Sequence, residues 1–425
     1  MSEGPESIAA GSPGDRGREP AYRERGAHAG PEPAGGAASS RVVAVGGAGA
    51  MGEVSTRLLA GTPGVGELVI ADRDLARAHA LAGAIGGPAR PQELDLTDTL
   101  ALRDVLDGAD LVVNTAGPYY RFGVAVLQAA LAAGAHYVDI CDDPGPTLDM
   151  LALDEPARAA GVTALIGMGA SPGVSNLLAR LAADRLDAVE DILTAWPEDP
   201  VADLAGTPAD SPSAATLHWV VQFSEPGPAL TDGRLGDVVP LQPLPVDYPE
   251  VGSGVVWTVG HPEAVTLQRA VPGLRRSRNA MVITPAVAAE LRRAAAELTA
   301  GAAVPEVAAA MVARFRTLDP AAAREGGPPF GWLFALARGR RGGAPARVAA
   351  GLTAYPPGGM AGATGVPLAI GARMLLDGTV SARGAHPPET CVPPAEFFAR
   401  LAPHCGGAPS PEELVRFTAE PPESR

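Results

Sequence analysis

The 425-residue chain has no lysine: all 33 of its basic residues are arginine. Without a primary-amine side chain, no Schiff base can form and no tuned amine can act as a base. Chemistry is left to Asp, Glu, His, Cys, Tyr and Arg. Cysteine is almost as scarce. Cys141, Cys391 and Cys405 are too few and too scattered for a disulfide framework or a cysteine-rich zinc site. They suit a reducing, cytoplasmic setting. A basic surplus is missing too. The net charge of -15 speaks against a nucleic-acid partner and against docking on an anionic membrane. No apolar run reaches the roughly 18 residues of a membrane span, and no basic-then-apolar leader opens the chain. No His, Asp and Cys spacing recommends a metal, and no repeat of solenoid period is visible.

What is present is an ordinary globular composition, 46% hydrophobic and 19% charged, in a chain long enough for two domains. Residues 1–40 have little to bury and are expected to be a disordered tail, with 406–425 a second loose one. From 41 to 170, short apolar strands (RVVAV, ELVIAD, ELDL, ADLVVNTAG, AHYVDIC, VTALIGM) alternate with helical stretches. That alternation predicts a doubly wound parallel α/β sheet of the Rossmann type. Past Gly169 the rhythm breaks. A helix with Pro172 in its first turn, a strand near 187–196, helices from about 285 to 317 and a hairpin turning at 339–345 predict an α+β domain over 171–356. Residues 357–405 carry a long apolar helix, MAGATGVPLAIGARMLLDG, able to return to the first domain.

Glycine is abundant here, 52 residues, so a glycine motif has weight only in context. Gly47, Gly49 and Gly52 stand between the first buried strand and a helix, where a dinucleotide fingerprint belongs. The first glycine permits the tight turn, the second the approach of the pyrophosphate, the third close packing of helix on strand. Ala50 and Met51 open the helix, whose free N–H groups suit phosphate. Asp72 ends the second strand, where a carboxylate accepts hydrogen bonds from ribose hydroxyls. It favours NAD over NADP. Arg73, next in the chain, could instead pair with a 2′-phosphate. Asp95 is placed near the adenine edge or as a helix cap.

The run DLVVNTAGPYYRFGVAVLQAALAAGAHYVDICDD resembles the saccharopine dehydrogenase and reductase family, as does GVTALIGMGASPGVSNLLA after it. GHPEAVTLQRAVPG and MAGATGVPLAIGARMLLDGTVSARGAHPPE resemble the distal part of bacterial members. The resemblance implies an NAD(P)-binding Rossmann domain, an inserted substrate and oligomerisation domain, and a C-terminal segment returning to the first. It also implies oxidoreductase activity on C–N bonds, with C=C reduction in some members. A homodimer follows from the resemblance and from symmetry base rates.

Nicotinamide lies beyond the carboxyl ends of the fourth to sixth strands in such folds. Asn114, Ala116, Gly117 and Pro118 there are candidate cofactor contacts. Tyr119 or Tyr120 could orient or protonate a substrate nitrogen, or simply pack. Asp142 could exchange a proton with an amine, or cap a helix before Pro144 with Asp143. Ser171 and Asn176 open a helix whose N–H groups could hold a substrate carboxylate. His218, His261, Arg121 and Arg269 are the remaining candidates, His261 for acid–base work, His218 and the arginines for substrate. The expected protein is a cytoplasmic NAD(P)-dependent oxidoreductase, NAD preferred, acting at an amine or imine carbon of an amino-acid-type small molecule. An apolar pocket without arginine would instead suit reduction of C=C or carbonyl. A cofactor-sensing protein without turnover is the third reading.

Overall fold

The computed structural model describes residues 39–200, 214–319, 321 and 325–420, so nearly all of the expected N-terminal tail lies outside the described residues. The first domain alternates β1 (Ser40–Val45), α1 (Ala50–Ala60), β2 (Val65–Asp72), α2 (Leu75–Ile85), β3 (Ala89–Glu93), α3 (Thr99–Leu106) and β4 (Leu111–Asn114). It continues with α4 (Tyr119–Ala133), β5 (His136–Asp139), α5 (Pro144–Leu151), α6 (Asp154–Ala159) and β6 (Thr163–Leu165). All pairings in this sheet are parallel. The central strands are buried on both faces, which is why they read as unbroken apolar runs. The third strand lies at 89–93, upstream of the expected ELDL. It is the sheet edge and tolerates Pro91, which a central strand would not.

The second domain comprises α7 (Val174–Ala183), β7 (Ala188–Pro197), α8 (Ala214–Gln222), β8 (Gly227–Thr231), β9 (Arg234–Val238), β10 (Pro243–Tyr248) and β11 (Gly252–Val259). Then follow α9 (Glu263–Thr266), β12 (Arg276–Val282), α10 (Pro285–Thr299), α11 (Val304–Thr317), β13 (Phe334–Arg341) and β14 (Ala344–Leu352). The expected hairpin is β13–β14, turning at Gly342 and Gly343. Pro172 is not in the first turn of α7. The helix starts at Val174, and Gly173 at its N-cap donates its N–H to Asn176 Oδ1 (2.8 Å).

The C-terminal segment holds α12 (Gly359–Leu376), β15 (Gly384–His386), α13 (Pro388–Cys391), α14 (Pro394–Leu401), α15 (Pro411–Leu414) and β16 (Val415–Ala419). It completes both sheets. β15 joins β6, giving the seven-stranded order β15-β6-β5-β4-β1-β2-β3. β16 pairs with β14 at the end of the order β10-β11-β12-β7-β13-β14-β16, to which β8 and β9 attach beside β12. The expectation of a loose tail from 406 is therefore corrected for the described residues. Val415 and Thr418 are buried against β14, and Arg185 lies over the Phe417 ring at 3.3 Å.

α12 has 18 residues at hydropathy 1.3, long and apolar enough to cross a bilayer, yet 61% of that window is buried inside the protein. Its glycines let it sit close. A Cβ on Gly365 would lie 2.6 Å from the Met51 carbonyl oxygen of α1, and one on Gly371 2.6 Å from Met168. Through α12 and α7 one apolar core runs from Val42 and Leu111 under the first sheet to Ile192 and Val348 under the second.

Candidate functional site

The parallel order reverses between β1 and β4, so a crevice opens above their carboxyl ends. The glycine turn sits there. A Cβ on Gly52 would meet the Gly46 carbonyl oxygen and come within 2.7 Å of Thr115 Oγ1; one on Gly47 would lie 2.8 Å from Ala44. A Cβ on Gly49 would touch only Gly46 O, at 3.2 Å. Two glycines are thus needed for packing, while the middle one leaves backbone open toward the crevice. Ala50 is exposed and Met51 half-buried at the start of α1, whose first N–H groups face the turn. This cradle fits a dinucleotide pyrophosphate.

Asp72 stands beside it, half-buried, accepting from Ala48 N (3.2 Å) and from Asp74 N (3.0 Å). Arg73 is exposed. Asp95 is also exposed. Hydrogen bonds from the Thr97 backbone and hydroxyl hold its carboxyl below the usual range, with smaller help from the charges of Arg121 and Arg73.

At the end of β4, Ala116 lines the crevice against Gly46, followed by Gly117 and Pro118. Asn114 does not face a ligand. It is buried, its Nδ2 donating to Tyr137 Oη (3.0 Å) and its Oδ1 accepting from Ala116 N (3.0 Å), so it shapes the turn from beneath. Tyr119 is likewise committed. Its hydroxyl donates to Asn114 O (2.9 Å) and accepts from Ile140 N (3.3 Å), and burial pushes its pKa well up. The expectation that it handles a substrate proton is corrected: it braces β4 against β5. Tyr120 is 74% exposed. Under the same strand ends, Asp139 is fully buried and accepts from Gly167 N, Cys141 N and Tyr137 Oη. Burial raises its carboxyl to about 6, despite those three donors.

The polar centre lies where β5 ends. Asp142 and Asp143 face His218 of α8, with Oδ1 to Nε2 distances of 3.6 and 3.4 Å. Burial raises the Asp143 carboxyl, opposed by the charges of His218 and His261. Each of Asp142, Asp143 and His218 offers one ligand atom within 4.8 Å of the others. Sequence spacing gave no sign of that set.

His261 comes from the turn after β11 and is buried against Trp196, ring centroids 4.6 Å apart. Its Nδ1 lies 2.7 Å from Glu263 Oε2. Glu263, fully buried, also accepts from Ser171 Oγ and Ser175 Oγ, both at 2.5 Å. Burial alone would neutralise both partners. Their mutual attraction wins, so the imidazole is raised above its ordinary value and the carboxyl lowered. Among the described residues, His261 Nε2 has no hydrogen-bond partner. The arrangement orients an imidazole by a carboxylate and leaves its other nitrogen available for proton transfer.

Other expected substrate residues move elsewhere. Ser171 neither caps α7 nor offers a free hydroxyl, because it donates to Glu263. Asn176 is buried, donating to Glu389 Oε2 (2.9 Å) and Thr266 Oγ1 (3.3 Å), and cannot touch substrate. Arg121 is exposed, stacked 4.8 Å over Phe122, and Arg269 is exposed on the turn after α9. Neither joins the cluster. Glu263, Ser175, Trp196 and Glu389 were not singled out as site residues. The one local sign was the His-Pro-Glu run at 261–263.

Residues 42–165 match the family model described as the saccharopine dehydrogenase NADP binding domain. By that match, residues 42–165 belong to the saccharopine dehydrogenase NADP binding domain family. The fold extends the likeness: saccharopine dehydrogenase (L-Glu forming) from Saccharomyces cerevisiae superposes with TM-score 0.60 at 16% identity, covering 90% of this chain and all of that one. Carboxyaminopropylagmatine dehydrogenase of Synechocystis is 26% identical over 261 residues, 58% of this chain. The match spans 63% of that relative's length. A candidate trans-acting enoyl reductase of Mycobacterium tuberculosis is 32% identical over 107 residues, 24% of this chain and 25% of its own length.

Proposed function

We propose that this saccharopine dehydrogenase-like protein moves hydride at the carbon of a C–N bond, with His261 as the acid–base group. The observation that carries it is the buried His261–Glu263 pair, joined at Nδ1, with the charges of Asp142 and Asp143 also raising the imidazole. NAD(P) held in the cradle would supply the hydride acceptor or donor. Glu263 fixes the imidazole by accepting a hydrogen bond from Nδ1–H, so Nε2 is the atom that accepts a proton from a substrate amine or returns it to an imine. Asp142 and Asp143 make the entrance negative, which suits an ammonium or iminium centre. The name of the Synechocystis relative, carboxyaminopropylagmatine dehydrogenase, is consistent with this. Asp72 supports NAD as the preferred coenzyme. Unpaired Cys141, Cys391 and Cys405 suit a reducing compartment, and a homodimer remains the proposed assembly.

His261→Gln tests the reading. Turnover of amine substrate should fall roughly 10²- to 10⁴-fold, while NAD(P)H affinity, followed by its fluorescence, stays as in the parent. A variant keeping most of its turnover would remove His261 from the mechanism. A second reading has its own support. The arginines expected to hold a carboxylate are exposed, and one relative is a candidate enoyl reductase. Following NAD(P)H oxidation against imines, ketones and enoyl compounds separates the two: enoyl turnover without imine turnover selects the second.

A further inference from the structure

A cavity of about 330 Å³ opens next to the polar centre, enclosed by the Ala170 turn, the end of β7, the ends of β13 and β14, and the first half of α12. None of the cradle residues lines it, so it is separate from the dinucleotide crevice. Trp196 joins it to the acid–base group: its side chain walls the cavity and its ring packs on His261. Val174, Leu333, Leu352, Met360 and Leu401 are among its apolar lining residues. No arginine lines it among the described residues, and Glu198, which accepts from Trp196 Nε1 (3.1 Å), is the one charged lining residue there. Tyr355 Oη accepts from Leu333 N, which ties its ring to the wall and leaves one O–H donor there.

Such a space lies at the lower end of small-molecule sites and would hold about ten water-sized groups. Filling it with water beside so few polar partners is unfavourable, whereas aliphatic or aromatic carbon is favoured. We infer that the cavity is a substrate subsite for an uncharged apolar body attached to the reacting amine. The inference rests on the C–N reading for the amine but not for the apolar body. It distinguishes the substrate from a dicarboxylic amino acid, whose carboxylates would enter an apolar chamber without a cation to meet them.

The test uses the full chain and a series of n-alkylamines from butyl to octyl, with matched n-alkanols, titrated by ligand-observed NMR. Affinity should tighten about three- to four-fold per added methylene until the cavity is full. Ala363→Phe, which fills the chamber from α12, should flatten that series and leave NAD(P)H binding intact. Met360→Trp provides the same test should the first variant not fold. Equal affinity for all chain lengths in the parent overturns the subsite. A steep series with no preference for amine over alkanol retains the subsite and overturns the C–N reading instead.

Discussion

Glu263 holds His261 in one orientation through one bond, so the effect of its removal is directional. In Glu263→Gln the imidazole loses its charged neighbour, and its pKa falls toward or below the ordinary value because burial now dominates. The limb of the pH–rate profile that reports His261 should move to lower pH, with binding of coenzyme unaltered. An unchanged limb would mean that another group carries the proton. Arg73 gives a second test at this scale. Each Asp72 oxygen accepts one backbone amide, from Ala48 or Asp74, and keeps a lone pair for ribose, while Arg73 is exposed beside it. Arg73→Ala should weaken NADPH by roughly three- to ten-fold and leave NADH affinity nearly constant; loss of both in proportion would deny the side chain a role at the 2′ position. Single residues are where the sequence was least legible. Arg121 and Arg269 were expected near substrate and are exposed, because a residue in a helical turn or cap can face either way. Asp142, His218 and His261 meet only through long-range folding, so no spacing announces them. The Gly47–Gly52 turn was legible because its partners are adjacent in the chain.

At the scale of elements, α12 against α1 and α13 against α7 show what backbone proximity demands. Gly365→Val would drive methyl groups into the Met51 carbonyl and Val54. A cost of about 1–3 kcal/mol is expected, measured as a lower unfolding midpoint in denaturant. Since α1 carries the cradle, weaker coenzyme binding should accompany it. α13 brings Glu389 beneath α7, where burial lifts its carboxyl from an ordinary 4.5 to about 7. One of its oxygens, Oε1, has no hydrogen-bond partner. The folded state therefore holds this proton more tightly than the unfolded chain, and stability falls as pH rises from about 4.5 through 7. Glu389→Gln should remove up to roughly 3 kcal/mol of that slope. Thermal melts at pH 5 and pH 8 check it: the variant should gain on the parent at pH 8, and parallel curves would refute the buried acid. The parallel strands were legible as elements because burial on both faces leaves them uniformly apolar. β8, β10 and β12 were missed, since short strands interrupted by Pro, Gly and Arg lack any clear period.

For the whole molecule, the α/β-then-α+β order could be read from the change of rhythm at Gly169, but the two closing strands could not. β15 is three residues long and β16 lies beyond a stretch rich in Pro and Gly. A chain ending at residue 406 would uncover the β14 edge at Val348, Ala350 and Leu352. We expect that truncation to aggregate or to unfold at markedly lower denaturant than the full chain, by light scattering and urea melts. Soluble protein of parental stability would show that β16 is dispensable.

β15 and β16 also carry a temporal consequence. β6 waits for Gly384–His386, and β14 for Val415–Ala419. Until residues 384–419 have been synthesised, each sheet has an open flank and Asn176 lacks its acidic partner Glu389. A chain that stops before Gly384 would therefore be left with two unfinished sheets.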